Sequence, residues 1–299
     1  MSAGAEDLAS GGRPQHGPAA VRVMLGVQLR QLREDAGISP DEAAWRIRGS
    51  RSKISRLENG RSGFKERDLS DLLDLYGLKD PGTRARMLEL AAQANAPTWW
   101  ARSSSVLPSW FEPYLGLEAS ATLIRSFDLQ FVNGLFQTEA YARAVMLIGV
   151  PRPDPDDVSQ RVEIRMRRQE LLTAARAPRV WSVLDEAAIR RPVGTTAVMR
   201  EQLEHLVRLA ERPNVTLQLI PFTAGAHDGA GGAFTVLRFA EPDVADVVYF
   251  EQLAGAQYVD KRSETDRYLD VINRLSAAAL DPAATTRFLN QAIAELRTG

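Results

Sequence analysis

At 299 residues, 44% apolar and 25% charged, the chain has the size and make-up of one large or two ordinary globular domains. A formal net charge of −1 and a pI near 6.4 exclude a protein that coats nucleic acid over its whole surface, though not one with a local basic face. With no Cys, disulfides, thiolate catalysis and cysteine zinc sites are excluded; the three His residues lack a metal-ligand spacing, and no metal or cofactor is expected.

Residues 1–19 are small, polar and rich in Gly and Ala, which reads as a disordered tail. From Val21 to Ala36, Leu25, Leu29, Leu32 and Ala36 recur at helical period, and Gly37 stops that helix. Ser39, Pro40 and Glu42 form the start signal of a second helix, a capping box with Pro at the first helical position; Ala43, Ala44 and Ile47 supply its inner face. Ser50 caps a third helix, Ile54 and Leu57 turn inward, and Asn59-Gly60 ends it. Leu69, Leu72, Leu73 and Tyr76 mark a fourth helix, and Asp80-Pro81 opens a fifth that runs to about Asn95.

Two short helices joined by a turn can place the second one in the DNA major groove. From Arg46 to Arg67 eight basic side chains face only Glu58 and Glu66. With Ile54 and Leu57 inward, Arg51, Ser52 and Ser55 are the candidates for base edges, because they stand near the helix start and Arg can bond guanine O6 and N7 together. Lys53, Arg56, Arg61 and Lys65 are the candidates for phosphates, while Glu58 and Asn59 brace the helix end. One such motif offers few base contacts, so a homodimer on a repeated or palindromic double-stranded DNA site is expected.

Residues 98–109, with Trp99-Trp100 and a Ser run, read as a hinge, so the expected organisation is a DNA-binding domain at 20–97 and a regulatory domain at 110–299. Trp99, Trp100, Trp110 and Phe111 either stack on a ligand or pack one domain on the next. Beyond them the chain predicts helices near 116–127, 137–149, 157–175 and 196–212. Val180–Leu184, 215–220, 233–239 and 246–250 have the β-branched content of strands, and helices near 262–279 and 283–297 follow. The fold class expected is an all-α five-helix domain followed by a mixed α+β domain with a small sheet of three or four strands.

In this second domain Asp185-Glu186 and Arg190-Arg191 either line a ligand or partner cleft or form salt bridges that orient a loop. His227-Asp228 lies in a glycine-rich segment between two strands, open both to close ligand approach and to a plain flexible loop. No nucleophile motif accompanies it, so no catalytic residues and no enzyme activity are expected. No run approaches 18 apolar residues and no signal-peptide core opens the chain, which leads to the expectation of a cytoplasmic, nucleoid-associated protein without membrane partners.

Residues 23–78 resemble the lambda-repressor/Cro-like (XRE) helix-turn-helix family, in Leu29-Arg-Gln-Leu-Arg-Glu-Asp-Ala-Gly37 and most specifically in Lys53-Ile-Ser-Arg-Leu-Glu-Asn-Gly60. Two positions depart from that pattern. Pro40 stands where relatives commonly have a phosphate-contacting Gln, so that contact does not carry over; Arg48-Gly49 reverses the usual order of Gly followed by an apolar residue. Trp110–Ala119, Gly134–Arg143, Arg167–Leu172, Leu184–Gly194, Gln202–Leu206 and Pro221–His227 resemble a domain of unknown function, DUF5753. That domain is found in Scr1-family, toxin–antitoxin-like regulators of actinobacteria, mainly Streptomyces. The resemblance implies transcription regulation, often beside a gene for a small DUF397-like partner protein, and no known ligand or reaction; the C-terminal domain is expected to sense a small-molecule effector or receive a protein partner. It leaves open an antitoxin-like autoregulator and, less favoured, a DNA-tethered enzyme.

Overall fold

The computed structural model describes residues 18–60, 62–96, 98–100, 105–108, 110–148, 154–240 and 244–298. The tail expected at 1–19 falls outside them up to residue 17, as do Arg61 and hinge residues 101–104 and 109. The chain divides into two compact units, Met1–Thr98 and Trp99–Gly299.

In the N-terminal unit five helices form among the described residues: α1 (Pro18–Asp35), α2 (Pro40–Arg46), α3 (Arg51–Glu58), α4 (Glu66–Leu75) and α5 (Pro81–Ala94). Leu25, Leu29, Ile54, Leu69, Leu72 and Leu73 are fully buried at their centre, and removing these side chains from water supplies the main drive for the bundle. The ends are chemically specified. Ser39 Oγ accepts from Glu42 N–H while the Glu42 carboxylate accepts from Ser39 N–H; Ser50 Oγ accepts from Lys53 N–H, and Asp80 caps α5 through Thr83 N–H.

α1 and α3 meet at backbone distance. A Cβ on Gly26 would sit 2.5 Å from Leu57 O. Gly60, at φ +64°, lies so close to Val23 that any side chain would collide with its backbone. A buried fork closes the same junction: Arg33 donates from Nε to Glu58 Oε1 at 2.6 Å and from Nη2 to Oε2 at 3.0 Å.

In the C-terminal unit, a six-stranded open sheet has the order β3-β2-β1-β4-β5-β6, where β1 is Leu123–Asp128, β2 Arg179–Asp185, β3 Val215–Ile220, β4 Phe234–Arg238, β5 Val247–Gln252 and β6 Gly255–Val259. The first three strands are parallel and the last three join antiparallel. The helices are α6 (Glu112–Ser120), α7 (Glu139–Met146), α8 (Pro155–Gln169), α9 (Glu186–Arg190), α10 (Thr196–Ala210), α11 (Arg262–Ala278) and α12 (Pro282–Thr298). Phe127, Val183, Ile220, Phe234, Val236 and Val248 form one face of the sheet and pack with Ile272 and Leu275 of α11.

Two expectations are corrected here. The helix expected at 116–127 ends at Ser120, and the residues after it form the central strand. Leu123-Ile-Arg-Ser-Phe-Asp is covered on both faces, so it shows no polar–apolar alternation to betray a strand. Among the described residues the sheet has six strands, not three or four; β6 went unseen because a short edge strand, none of whose residues is fully buried, needs no apolar pattern.

On the face opposite α11, one row of hydroxyls crosses five strands in register. Ser182 pairs with Ser126, Ser126 with Thr235, Thr235 with Tyr249 and Tyr249 with Tyr258. The row lies beside the end of β1, and it positions the cavity described below.

Candidate nucleic-acid interface and cavity

With Ile54 and Leu57 in the core, α3 turns Arg51, Ser52, Ser55 and Arg56 to the surface. Arg51 stands at the first position of the helix, 3.8 Å from the equally exposed Asp41 carboxylate, a contact too solvated to hold it. Asn59 Nδ2 donates to both the carbonyl and the hydroxyl of Ser55, which leaves the hydroxyl hydrogen free to turn toward another acceptor. Arg56 is exposed. Lys65 is exposed at the N-cap of α4 without capping it, and its loop is clamped by Asn95, which exchanges two hydrogen bonds with the Phe64 backbone.

Lys53 differs from the other candidates. Its ammonium lies 2.6 Å from Asp68 of α4, so a phosphate must compete with a carboxylate already in place. Arg61 lies outside the described residues. Glu58 and Asn59 brace the helix, Glu58 through the Arg33 fork and Asn59 by accepting from Arg30.

The reversed turn has a visible consequence. Arg48 has φ +51°, the one non-glycine residue in the left-handed region among those described, whereas the glycine sits next to it. Trp45, 83% exposed on α2, is a surface feature the sequence reading passed over; the signal was its place off the Ala43, Ala44 and Ile47 stripe.

Five of the six candidates in the C-terminal unit, all but Arg191, act as braces in the structure. His227 Nδ1 accepts from Gly229 N–H, so Nε2 carries the hydrogen and donates to Asp185 Oδ2 at 3.1 Å. Asp185 Oδ1 caps α9 through Ala187 N–H. Glu186 accepts from Phe222 N–H and from Arg190, and Arg190 also reaches Glu295 of α12. Asp228 pairs with Arg274 of α11 at 3.0 Å; Arg191 is exposed.

None of these six lines the cavity of about 550 Å³ that opens at the carboxyl end of β1. Asp185 and His227 belong to the α11 face of the sheet, with His227 edge-on to Phe127; the cavity is on the other face. Its wall contains Asp128, the last residue of β1, whose Oδ2 accepts from Ser126 and Ser182 hydroxyls at 2.7 and 3.1 Å. Burial pushes this carboxyl up to about 6, against the lowering effect of its hydrogen bonds. Two arginines of α8 also line it. Arg168 forks onto buried Glu118 at 2.9 and 2.7 Å and lies over the Phe111 and Tyr114 rings. Arg165 donates to Gln137 Oε1 at 2.8 Å. Burial pulls its guanidinium down to about 10, with Arg168 nearby adding to the effect.

The ring contacts of the aromatics expected at the hinge fall within this unit: Arg167 lies over Trp99, Trp99 meets Trp100 edge-on, and Phe111 stacks near Tyr114 in the cavity wall. Among the described residues no group of His, Asp and Glu has the arrangement of a metal site, and no helix is long and apolar enough to cross a membrane.

A family model described as a helix-turn-helix domain matches residues 24–87. A second, described as a domain of unknown function (DUF5753), matches residues 111–291 and takes in the whole wall of the cavity. No curated protein and no solved structure matches the chain.

Proposed function

Because the chain belongs to the family of the domain of unknown function DUF5753, carried here behind a helix-turn-helix domain, we propose that it is a transcriptional regulator. It reads double-stranded DNA as a homodimer through α3 and senses an effector or partner through the C-terminal unit. The observation that carries the reading is the exposed row Arg51, Ser52, Ser55 and Arg56 on a helix whose opposite side is fixed in a core. Arg51, Ser52 and Ser55 meet base edges; Arg56, Lys65 and Arg61 hold phosphates, joined by Lys53 when it releases Asp68.

The test is selection of bound duplexes from a random pool by the purified full chain. The reading predicts a site of two half-sites spaced by about one helical turn, roughly 10 base pairs. A pool that emerges without sequence preference contradicts it. Co-purification of a small protein that displaces the chain from its site would move the C-terminal unit from effector sensing to an antitoxin-like role. Turnover of any substrate that is lost on His227→Ala would be needed for a DNA-tethered enzyme.

A further inference from the structure

The cavity stands where open sheets with parallel strands bind their ligands, outside the carboxyl end of a strand at which the strand order switches direction. The chain leaves β1 to build β2 and β3 on one side, while β4 lies against the other side of β1. At about 550 Å³ the space is within the range of small-molecule pockets.

Its chemistry is divided between two ends. Arg165 carries five N–H donors, yet its single hydrogen-bonded partner among the described residues is the neutral amide of Gln137. Beside it Arg168 has a carboxylate of its own in Glu118. Glu251 and Glu118 offset the charge of Arg165 only from a distance, and among the described residues no carboxylate touches it; a guanidinium in a protein wall without a direct ionic partner has donors left for an anion. Asp128 lines the same space but is not within ion-pairing distance of Arg165; its Oδ2 accepts from the two serine hydroxyls, while among the described residues Oδ1 has only a long 3.4 Å contact from Asn133. That oxygen has room for a donor. The rings of Phe111, Tyr114 and Tyr249 line the same space. Glu251, which also lines the cavity, is exposed and accepts from the Tyr249 hydroxyl.

We propose that this cavity binds a small aromatic carboxylic acid that also bears a ring hydroxyl or amino group, its acid on Arg165, its ring among the aromatics and its donor on Asp128. This gives the sensing role a site and a ligand class, and it rests on that reading of the C-terminal unit. Thr235 and Tyr249 of the hydroxyl row line the cavity and add polar groups that carry no charge.

The experiment uses the full chain without DNA, so its failure leaves the DNA-selection result standing. A library of hydroxy- and amino-substituted aromatic acids, each paired with its primary amide, is screened by saturation-transfer NMR, and hits are titrated calorimetrically. Acids are expected to bind at least about tenfold more tightly than their amides, the scale of one charge-assisted hydrogen bond. Arg165→Met should abolish that preference, and Arg165→Lys should retain part of it. The proposal is overturned if no library acid binds at millimolar concentration, if amides bind as well as acids, or if folded Arg165→Met keeps the preference. Should Arg165→Met fail to fold, the acid–amide comparison in the parent chain decides by itself.

Discussion

Glu58 is 4% exposed and Arg33 7%, and the two-pronged bond between them ties the helix that would read DNA to the first helix of the bundle. Glu58→Gln leaves that guanidinium buried without its charge partner. The expected cost is about 3 kcal/mol, read as a roughly hundredfold loss of hydrogen-exchange protection in α1 and α3. Protection unchanged would show that the exposed Glu34, 3.5 Å from Arg33, suffices. Arg48 gives the opposite sign. A non-glycine residue in the left-handed region costs about 1–2 kcal/mol, and a glycine placed there gives part of that back through the unfolded chain. Arg48→Gly should therefore raise the stability of the N-terminal unit by about 0.5–1 kcal/mol in the same exchange measurement. At this scale the caps were legible, because Ser39 and Glu42 signal each other across three residues. The fork was not, because only the fold brings residue 58 to residue 33.

The elements that hold the cavity show the same division. Strands β2 to β5 announced themselves by β-branched content; β1, the strand that matters most to the cavity, did not, because burial on both faces erased its period. Asp128 and Arg165 lie 37 positions apart on a strand and a helix, and no spacing rule joins them, whereas the adjacent charges drew notice and Asp185, Glu186 and Arg190 became braces. Asp128 also makes a prediction for the sheet. Its carboxyl is raised in the folded state to about 6 from an ordinary value near 4, so the folded state holds the proton more tightly than the unfolded chain. The stabilising contribution is complete below pH 4 and is lost as pH rises through 6. Relative to Asp128→Asn, the parent should lose about 2 kcal/mol between pH 4 and 7, measured by paired urea titrations. A constant difference over that window would place the carboxyl at its ordinary value.

For the whole molecule, a formal charge of −1 concealed a basic surface of a few residues on one helix and the loop after it, and that surface carries the functional reading. Its parts are separable. Arg51, at the helix start and held only by a solvated neighbour, should act on sequence preference; Lys65, on a clamped loop, should act on phosphate alone. Lys53 is the poorer probe, since its removal also breaks the 2.6 Å bond to Asp68. The direct measurement is a salt titration of binding to the selected duplex and to a scrambled one, by parent, Arg51→Ala and Lys65→Ala. The account predicts that Arg51→Ala loses about 1–3 kcal/mol on the selected site and little on the scrambled one. Lys65→Ala should weaken both and lower the salt slope by about one. Parent-like binding by both variants across the titration would contradict the assignment of α3 and its following loop as the DNA-reading surface.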